Sequence, residues 1–169
     1  DAFGIEDQIE KCYDRRVWLK GGGYLIIDST EAMVAIDVNS GKNVGKDNQE
    51  DTSLRVNLEA AREIARQLRL RDLGGIIVVD FIDMASGKNR RRVEDEFQSA
   101  LRRDRSKTHV SQLSEFGLIE MTRQRVRPSL LYTFSEPCDH CRGVGRVQGR
   151  DTTVTRIERW LKRSRAASL

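Results

Sequence analysis

Asp72-Leu-Gly-Gly-Ile-Ile-Val-Val-Asp-Phe81 is the stretch on which the fold turns. Its Ile76–Phe81 half is a continuous β-branched run, the pattern of a strand buried on both faces of a sheet. Before it the period changes. Leu54, Leu58, Ala61, Ile64, Ala65 and Leu68 recur at steps of three and four, with Arg55, Arg62, Arg66 and Arg69 on other faces. That spacing predicts an amphipathic helix of about four turns, stopped by Asp72-Leu-Gly-Gly75. A long helix feeding directly into a buried strand is the unit from which α/β sheets are built.

Working upstream, Tyr24–Asp28 and Met33–Val38 read as two strands, and Ser29-Thr-Glu-Ala32 between them is short enough for a hairpin. Ile5–Leu19 has a loose helical spacing that ends at Gly21-Gly-Gly23. Asn39–Asp51 is polar and rich in Gly, Asn and Lys, and reads as a loop. Downstream, a second helix is expected at about Asn89–Arg103, with Val93, Phe97, Ala100 and Leu101 facing inward. Thr108–Leu113, Leu118–Val126 and Ser129–Phe134 are further strand candidates, the middle one also compatible with a helix. The prediction is an α/β fold with a mixed sheet flanked by helices.

The 169 residues suit one compact domain with a short appendage, and such a chain can bury a core without staples. No apolar run approaches the roughly 18–20 residues of a spanning helix, and no charged-then-apolar leader is seen. Three cysteines, an odd number, argue against a secreted disulfide scaffold and for a reducing compartment. Only two histidines leave little room for His-based catalysis. The chain opens at Asp1 rather than Met, so it is read as a segment of something longer. Residues 142–169 carry eight basic and two acidic side chains, whereas residues 1–141 are slightly acidic. Arginine dominates the basic residues, and its planar fork matches phosphate. With a pI near 9.1, this bias points to a polyanion, nucleic acid before membrane.

Asp28, Asp37 and Asp80 each lie at or near the end of an apolar strand, and Asp83 lies just beyond the last. Carboxylates there are costly unless hydrogen-bonded or bound to a cation. If the strands are neighbours, two of these groups converge. A hard, oxygen-loving Mg²⁺ is the ion that such a pair would hold, together with phosphate oxygens. Asn39, two residues after Asp37, shares its face of the strand and is placed to orient its carboxylate or contact the scissile phosphate. The chemistry permitted is metal-assisted phosphodiester hydrolysis, which needs neither His nor Cys. Any one of these Asp taken alone is better read as a turn or helix cap; three at strand ends together make the metal reading about as good, and spacing does not say which pair holds the metal.

Cys138-Asp-His-Cys141-Arg-Gly143-Val-Gly145 has the form of a zinc knuckle, the two-residue spacer aiming both thiolates at one ion. A structural Zn²⁺ takes four ligands, and the chain has no second Cys-x-x-Cys. Cys12 is lone and reads as a small core residue, and His140 is expected to point away from the metal. The economical completion is a second protomer across a two-fold axis. A thioredoxin-like redox pair would need a helix starting at Cys138, which the glycines oppose. Ser-Gly-Lys-Asn, at 40–43 and 86–89, only imitates a phosphate loop, since Ile36 and Ile82 stand where glycine is needed. His109, in a strand-like stretch without a catalytic partner, reads as structural or surface.

Several ordered segments carry a specific resemblance. Gly22–Ala32, Ala35-Ile-Asp-Val-Asn-Ser40, Asn57–Ala61, Ile64–Gly75, Val79-Asp-Phe-Ile-Asp-Met84 and Phe116-Gly-Leu118 leading to Thr122-Arg-Gln-Arg125 closely resemble the catalytic core of the ribonuclease E/G family, followed by Cys138-x-x-Cys141-x-Gly143 at that family's zinc link. The resemblance runs from about Ile9 to Val147. It implies a deoxyribonuclease I-like nuclease subdomain over 1–135, a zinc link over 136–147, and over 148–169 a basic segment that begins a small domain. It implies an endoribonuclease that cuts single-stranded, AU-rich RNA in mRNA decay and in rRNA and tRNA processing, in a bacterial cytoplasm or plastid stroma. Asp37 and Asp80 would bind the catalytic Mg²⁺, Asn39 would be catalytic, and Asp28 and Asp83 would support. Cys138 and Cys141 would hold a Zn²⁺ shared between two protomers, giving a homodimer and, by pairing of dimers, a homotetramer.

The family also carries, ahead of this region, a further RNA-binding domain and a sensor pocket for an RNA 5′-monophosphate, neither of which is recognised here. The resemblance places Lys107 at a basic position near that sensor. Two other functions remain compatible with the sequence: a zinc-linked RNA-binding and dimerisation module without catalysis of its own, and a metal-dependent phosphoesterase with another substrate.

Overall fold

The computed structural model describes residues 4–41 and 49–167. The chain divides into two units, Asp1–Phe134 and Ser135–Leu169. The first holds a six-stranded mixed sheet: β1 (Arg16–Trp18), β2 (Tyr24–Ser29), β3 (Met33–Asn39), β4 (Gly75–Asp80), β5 (Thr108–Val110) and β6 (Leu118–Arg123). The order across it is β1-β2-β3-β4-β6-β5, and among these pairs only β3 and β4 run parallel. Their connection contains α2 (Gln49–Leu70), so this is the crossover that a parallel pair requires.

α2 is longer than its apolar period suggested, beginning at Gln49 inside the stretch read as a loop. The first residue of that stretch, Asn39, closes β3, and its residues 42–48 lie outside the described ones. The small side chains of Ala60, Ala61 and Ala65 on its buried face let the helix sit close to the sheet. Its end uses Asp72 in the left-handed conformation, φ 52°, while the Leu73 N–H reaches back to the Leu68 carbonyl at 3.0 Å. α3 (Gly87–Leu101) is capped by the Ser86 hydroxyl, which accepts from the Asn89 N–H at 3.4 Å. That bond accounts for the second Ser-Gly-Lys-Asn as a helix start. Val93, Phe97 and Leu101 turn inward, and Phe97 meets Phe81 edge-on with ring centroids 6.0 Å apart.

Three expectations are corrected. Ile5–Leu19 is not one helix: α1 (Ile5–Lys11) stops early and Arg16–Trp18 pairs with β2 as an edge strand. Val17 and Trp18 are strand formers, and pairing with Tyr24–Ile26 outweighs the weak helical period. Ser129–Phe134 is not a strand: Leu130–Phe134 forms the short helix α4, with the Thr133 N–H on the Ser129 carbonyl at 3.0 Å. β4 is not buried on both faces, since Ile77 and Val79 are buried while Ile76 is 50% exposed. The strands alternate, with Leu25, Ile27, Val34, Ile36, Val38, Ile77, Val79, Ile119 and Met121 in the same core as the buried faces of α2 and α3. The opposite face of the sheet is open within the described residues. Cys12 is buried, its thiol donating to the Gln8 carbonyl at 3.0 Å.

The second unit contains turns over 139–143 and one long helix, α5 (Arg150–Ala167). No described helix is long and apolar enough to cross a membrane.

Candidate active site

Because Ile36, Val38 and Val79 point into the core, Asp37 and Asp80 must point out of it on the open face. The parallel register makes them direct partners, Asp37 beside Asp80, at the carboxyl ends of β3 and β4. Neighbouring strands put their Cα atoms only about 4.8 Å apart. Asn39 lies two residues on, on the same face, and its amide donates to Asp37 Oδ2 at 2.8 Å. Partial removal from water, followed by the carboxylates of Asp37 and Asp83, pushes the Asp80 carboxyl above the ordinary range. Such a site disfavours two bare negative charges and is relieved by a cation.

Asp28 does not join this pair. It sits opposite Ala35 and is held by Arg15, whose Nη2 donates at 2.6 Å and whose Nε makes a second bond. That guanidinium keeps the Asp28 carboxyl below its usual range. The pairing register therefore separates the strand-end aspartates into one close pair and one ion pair.

The turn beyond Asp80 is fixed from two sides. Asn57, fully buried on α2, donates to the Ile82 carbonyl at 2.8 Å and accepts its N–H at 3.0 Å. Gly117, at φ +76°, accepts the Phe81 N–H at 3.0 Å, and a Cβ there would lie 2.8 Å from the Phe81 carbonyl oxygen. Further along, Glu50 accepts from the Ala85 and Ser86 N–H groups and from the Asn89 amide, at 3.0, 3.2 and 2.7 Å. Asn57 and Glu50 were not singled out as site residues from the sequence. The readable signal for Asn57 is a polar residue among the apolar positions of the α2 face.

In the second unit, the Arg142 N–H bonds the Cys138 carbonyl at 2.7 Å and the Val144 N–H bonds the Cys141 carbonyl at 2.9 Å. Arg142, Gly143 and Gly145 all have positive φ, which turns the chain back behind the cysteines. Backbone N–H groups of Cys141 and His140, with the Cys141 thiol, hold the Cys138 thiol below its usual range. No helix starts at Cys138, so the feature needed for a thioredoxin-like pair is missing. Among the described residues no three His, Cys, Asp or Glu side chains form one cluster. The carboxylate pair suits Mg²⁺, which takes one or two carboxylates and completes its shell with water and phosphate. The thiol pair supplies half of what a structural Zn²⁺ takes. His109 is exposed on β5 opposite Thr122, and Lys107 is exposed in the loop before it.

The family model described as the Ribonuclease E/G family matches residues 1–126, which include every element that builds the carboxylate pair. The chain belongs to the ribonuclease E/G family. It is 52% identical over 168 residues to the ribonuclease E/G-like chloroplastic protein of Arabidopsis thaliana, a match covering 98% of this chain and 17% of that relative. It is 48% identical over 163 residues to ribonuclease G of Escherichia coli, covering 96% of this chain and 33% of that one. Ribonuclease E of Haemophilus influenzae is 47% identical over 160 residues, 95% of this chain and 17% of the relative. The chain thus spans a third or less of the length of these ribonuclease E/G relatives.

Proposed function

We propose that this chain carries the metal site and the zinc link of an endoribonuclease that hydrolyses single-stranded, AU-rich RNA with Mg²⁺. The observation that carries the reading is the register pairing of Asp37 with Asp80 on an open sheet face, in a member of a ribonuclease family. Asp37 and Asp80 would hold the ion, which when bound supplies Lewis acidity and an activated water for attack at phosphorus. Asn39 fixes the Asp37 carboxylate through its amide and leaves the other oxygen free to bind. Asn57 and Gly117 hold the backbone beyond Asp80, so that the second carboxylate keeps its direction. Asp28, neutralised by Arg15, takes no part in binding the ion.

Cleavage would leave a 5′-phosphate and a 3′-hydroxyl, in RNA decay and in rRNA and tRNA processing. The cytoplasm of a bacterium or the stroma of a plastid fits the sources of the relatives. The first unit corresponds to a deoxyribonuclease I-like nuclease subdomain, residues 136–147 to the zinc link, and 148–169 to the start of a small domain. Cys138 and Cys141 from each of two protomers would complete one tetrahedral Zn²⁺, giving a dimer that can pair into a tetramer.

The test is cleavage of 5′-monophosphorylated AU-rich RNA with and without Mg²⁺, by this chain and within the full-length protein. Asp37→Asn and Asp80→Asn are each expected to lower the rate at least about a hundred-fold while RNA binding persists, since several kcal/mol of charge stabilisation are lost. Retained cleavage in both variants, or preference for DNA over single-stranded RNA, would sink the reading. For the clasp, Cys138→Ser or chelation of zinc should halve the mass measured by light scattering. An unchanged mass would remove the shared ion from the account.

A further inference from the structure

The edge of the open face holds an aromatic pair that the metal site does not use. Trp18 on β1 is 66% exposed, and its ring meets Tyr24 of β2 edge-on with centroids 5.3 Å apart. The Arg16 guanidinium lies over both rings, 4.6 Å from the Tyr24 centroid and 5.4 Å from that of Trp18. No carboxylate among the described residues pairs with Arg16. The three side chains contact one another, and the large Trp18 ring remains mostly exposed to solvent.

Register ties this cluster to the carboxylates. Trp18 is opposite Tyr24, and Tyr24 is opposite Asn39, so the three form one row across the sheet. Arg16, Ile26, Asp37 and Asp80 form the next row on the same face. At about 4.8 Å per strand, Arg16 stands roughly 10 Å from Asp37 along its row. Aromatic side chains on adjacent strands of an open sheet are a general way to stack unpaired bases, and a cation beside them meets the phosphates between.

We propose that Trp18, Tyr24 and Arg16 form a stacking platform for a nucleotide flanking the scissile phosphate, with Trp18 taking the base and Arg16 the adjoining phosphate. This deepens the ribonuclease reading and rests on it for the identity of the strand. It also gives the site a physical reason to prefer single strands, because a base paired in a duplex has no free face to offer. Contact with the ring is independent of which base is presented, so the platform positions the strand and leaves sequence choice to other contacts.

Trp18 and Trp160 are the two tryptophans, and Trp160 lies in the other unit. In a Trp160→Phe background, Trp18 emission should fall saturably as a short single-stranded oligouridylate is added without Mg²⁺, and should be unmoved by a duplex of equal length. Trp18→Ala should weaken binding, read by anisotropy of labelled RNA, by at least about five-fold, with Trp18→Phe largely restoring it. Arg16→Gln should weaken binding and flatten its salt dependence. RNA that binds while Trp18 emission stays constant overturns the platform, as does equal quenching by duplex. Cleavage with Mg²⁺ but no Trp18 response leaves the nuclease reading standing without the platform. Quenching without cleavage does the reverse.

Discussion

The two faces of the central sheet use the same strands for opposite purposes. Toward α2 and α3, Ile36, Ile77, Val79 and Ile119 are almost completely buried, and each contributes burial at about 25 cal/mol per Å² of apolar surface. On the other face, one residue further along, the chain spends positions on Asp37, Asp80, Asn39, Arg16 and Trp18. Their side chains repel, snorkel or stand in water, and two adjacent carboxylates oppose folding rather than help it. On the proposed function, stability and chemistry are separated here by strand alternation, not by distance.

Arg123 is the sharpest challenge to that division, because it is a charged residue on the inward face and only 5% exposed. It is satisfied by Asp104 at 2.8 and 3.1 Å, Asp72 at 3.1 Å and the Leu73 carbonyl at 2.8 Å. It thereby joins the end of α2, the loop after α3 and β6. Burial alone would raise the Asp104 carboxyl, but the hydrogen bonds from Arg123 and from the Ser106 N–H outweigh it and hold the group below its usual range. Arg123→Met should cost about 3–5 kcal/mol at neutral pH, since the buried Asp104 carboxylate loses its guanidinium partner, while Asp72 keeps its ion pair with Arg127. A carboxyl held low in the folded state stabilises above its unfolded pKa of about 3.9, and this is lost as pH falls through the lower folded value. The gap between wild type and variant should therefore narrow in denaturant titrations as pH falls below about 3.9. A gap that stays constant would mean that the ion pairs are not its source.

Neighbouring residues on β4 give the next test. Ile77→Ala should lose about 2–4 kcal/mol through transfer and cavity terms, whereas Ile76→Ala, on the open face, should change stability by no more than about 0.5–1 kcal/mol. Equal losses would mean that something covers the open face. The smallest stability effect is expected where the functional effect is largest. Asp37→Asn and Asp80→Asn should leave the melting temperature unchanged or slightly raised, because each removes like-charge repulsion. A fall of several degrees in either would show that the carboxylates hold the fold together.

Much of the fold was legible because burial imposes a period. The β2–β3 hairpin, α2 and α3 all appear where alternation or a three-to-four step placed them. The failures share a cause. Arg16–Trp18 and Leu130–Phe134 are too short for a period to form, so pairing with β2 decided the first and the local bond from Thr133 N–H to the Ser129 carbonyl closes the second. Isoleucine and valine on both sides of β4 read as two-sided burial, although nothing described packs on the outer side. Motif similarity named Asp37, Asn39 and Asp80, while Asn57 and Glu50 were missed because a polar residue in a helix announces no partner.

What the sequence determined by itself was the inventory: strand-end aspartates, a Cys-x-x-Cys turn, an arginine-rich tail and the family to which these belong. Hydrophobic period and local motif are properties of neighbouring residues, and so can be read along the chain. The tertiary structure decided which aspartates meet. Asp28 and Asp80 flank Asp37 in similar local sequence, yet the parallel register sets Asp80 beside Asp37 and leaves Asp28 to Arg15. It likewise set Trp18, Tyr24 and Arg16 in line with Asn39 and Asp37. Pairing between strands distant in sequence is settled by packing the whole core at once, and no window of the chain contains that information.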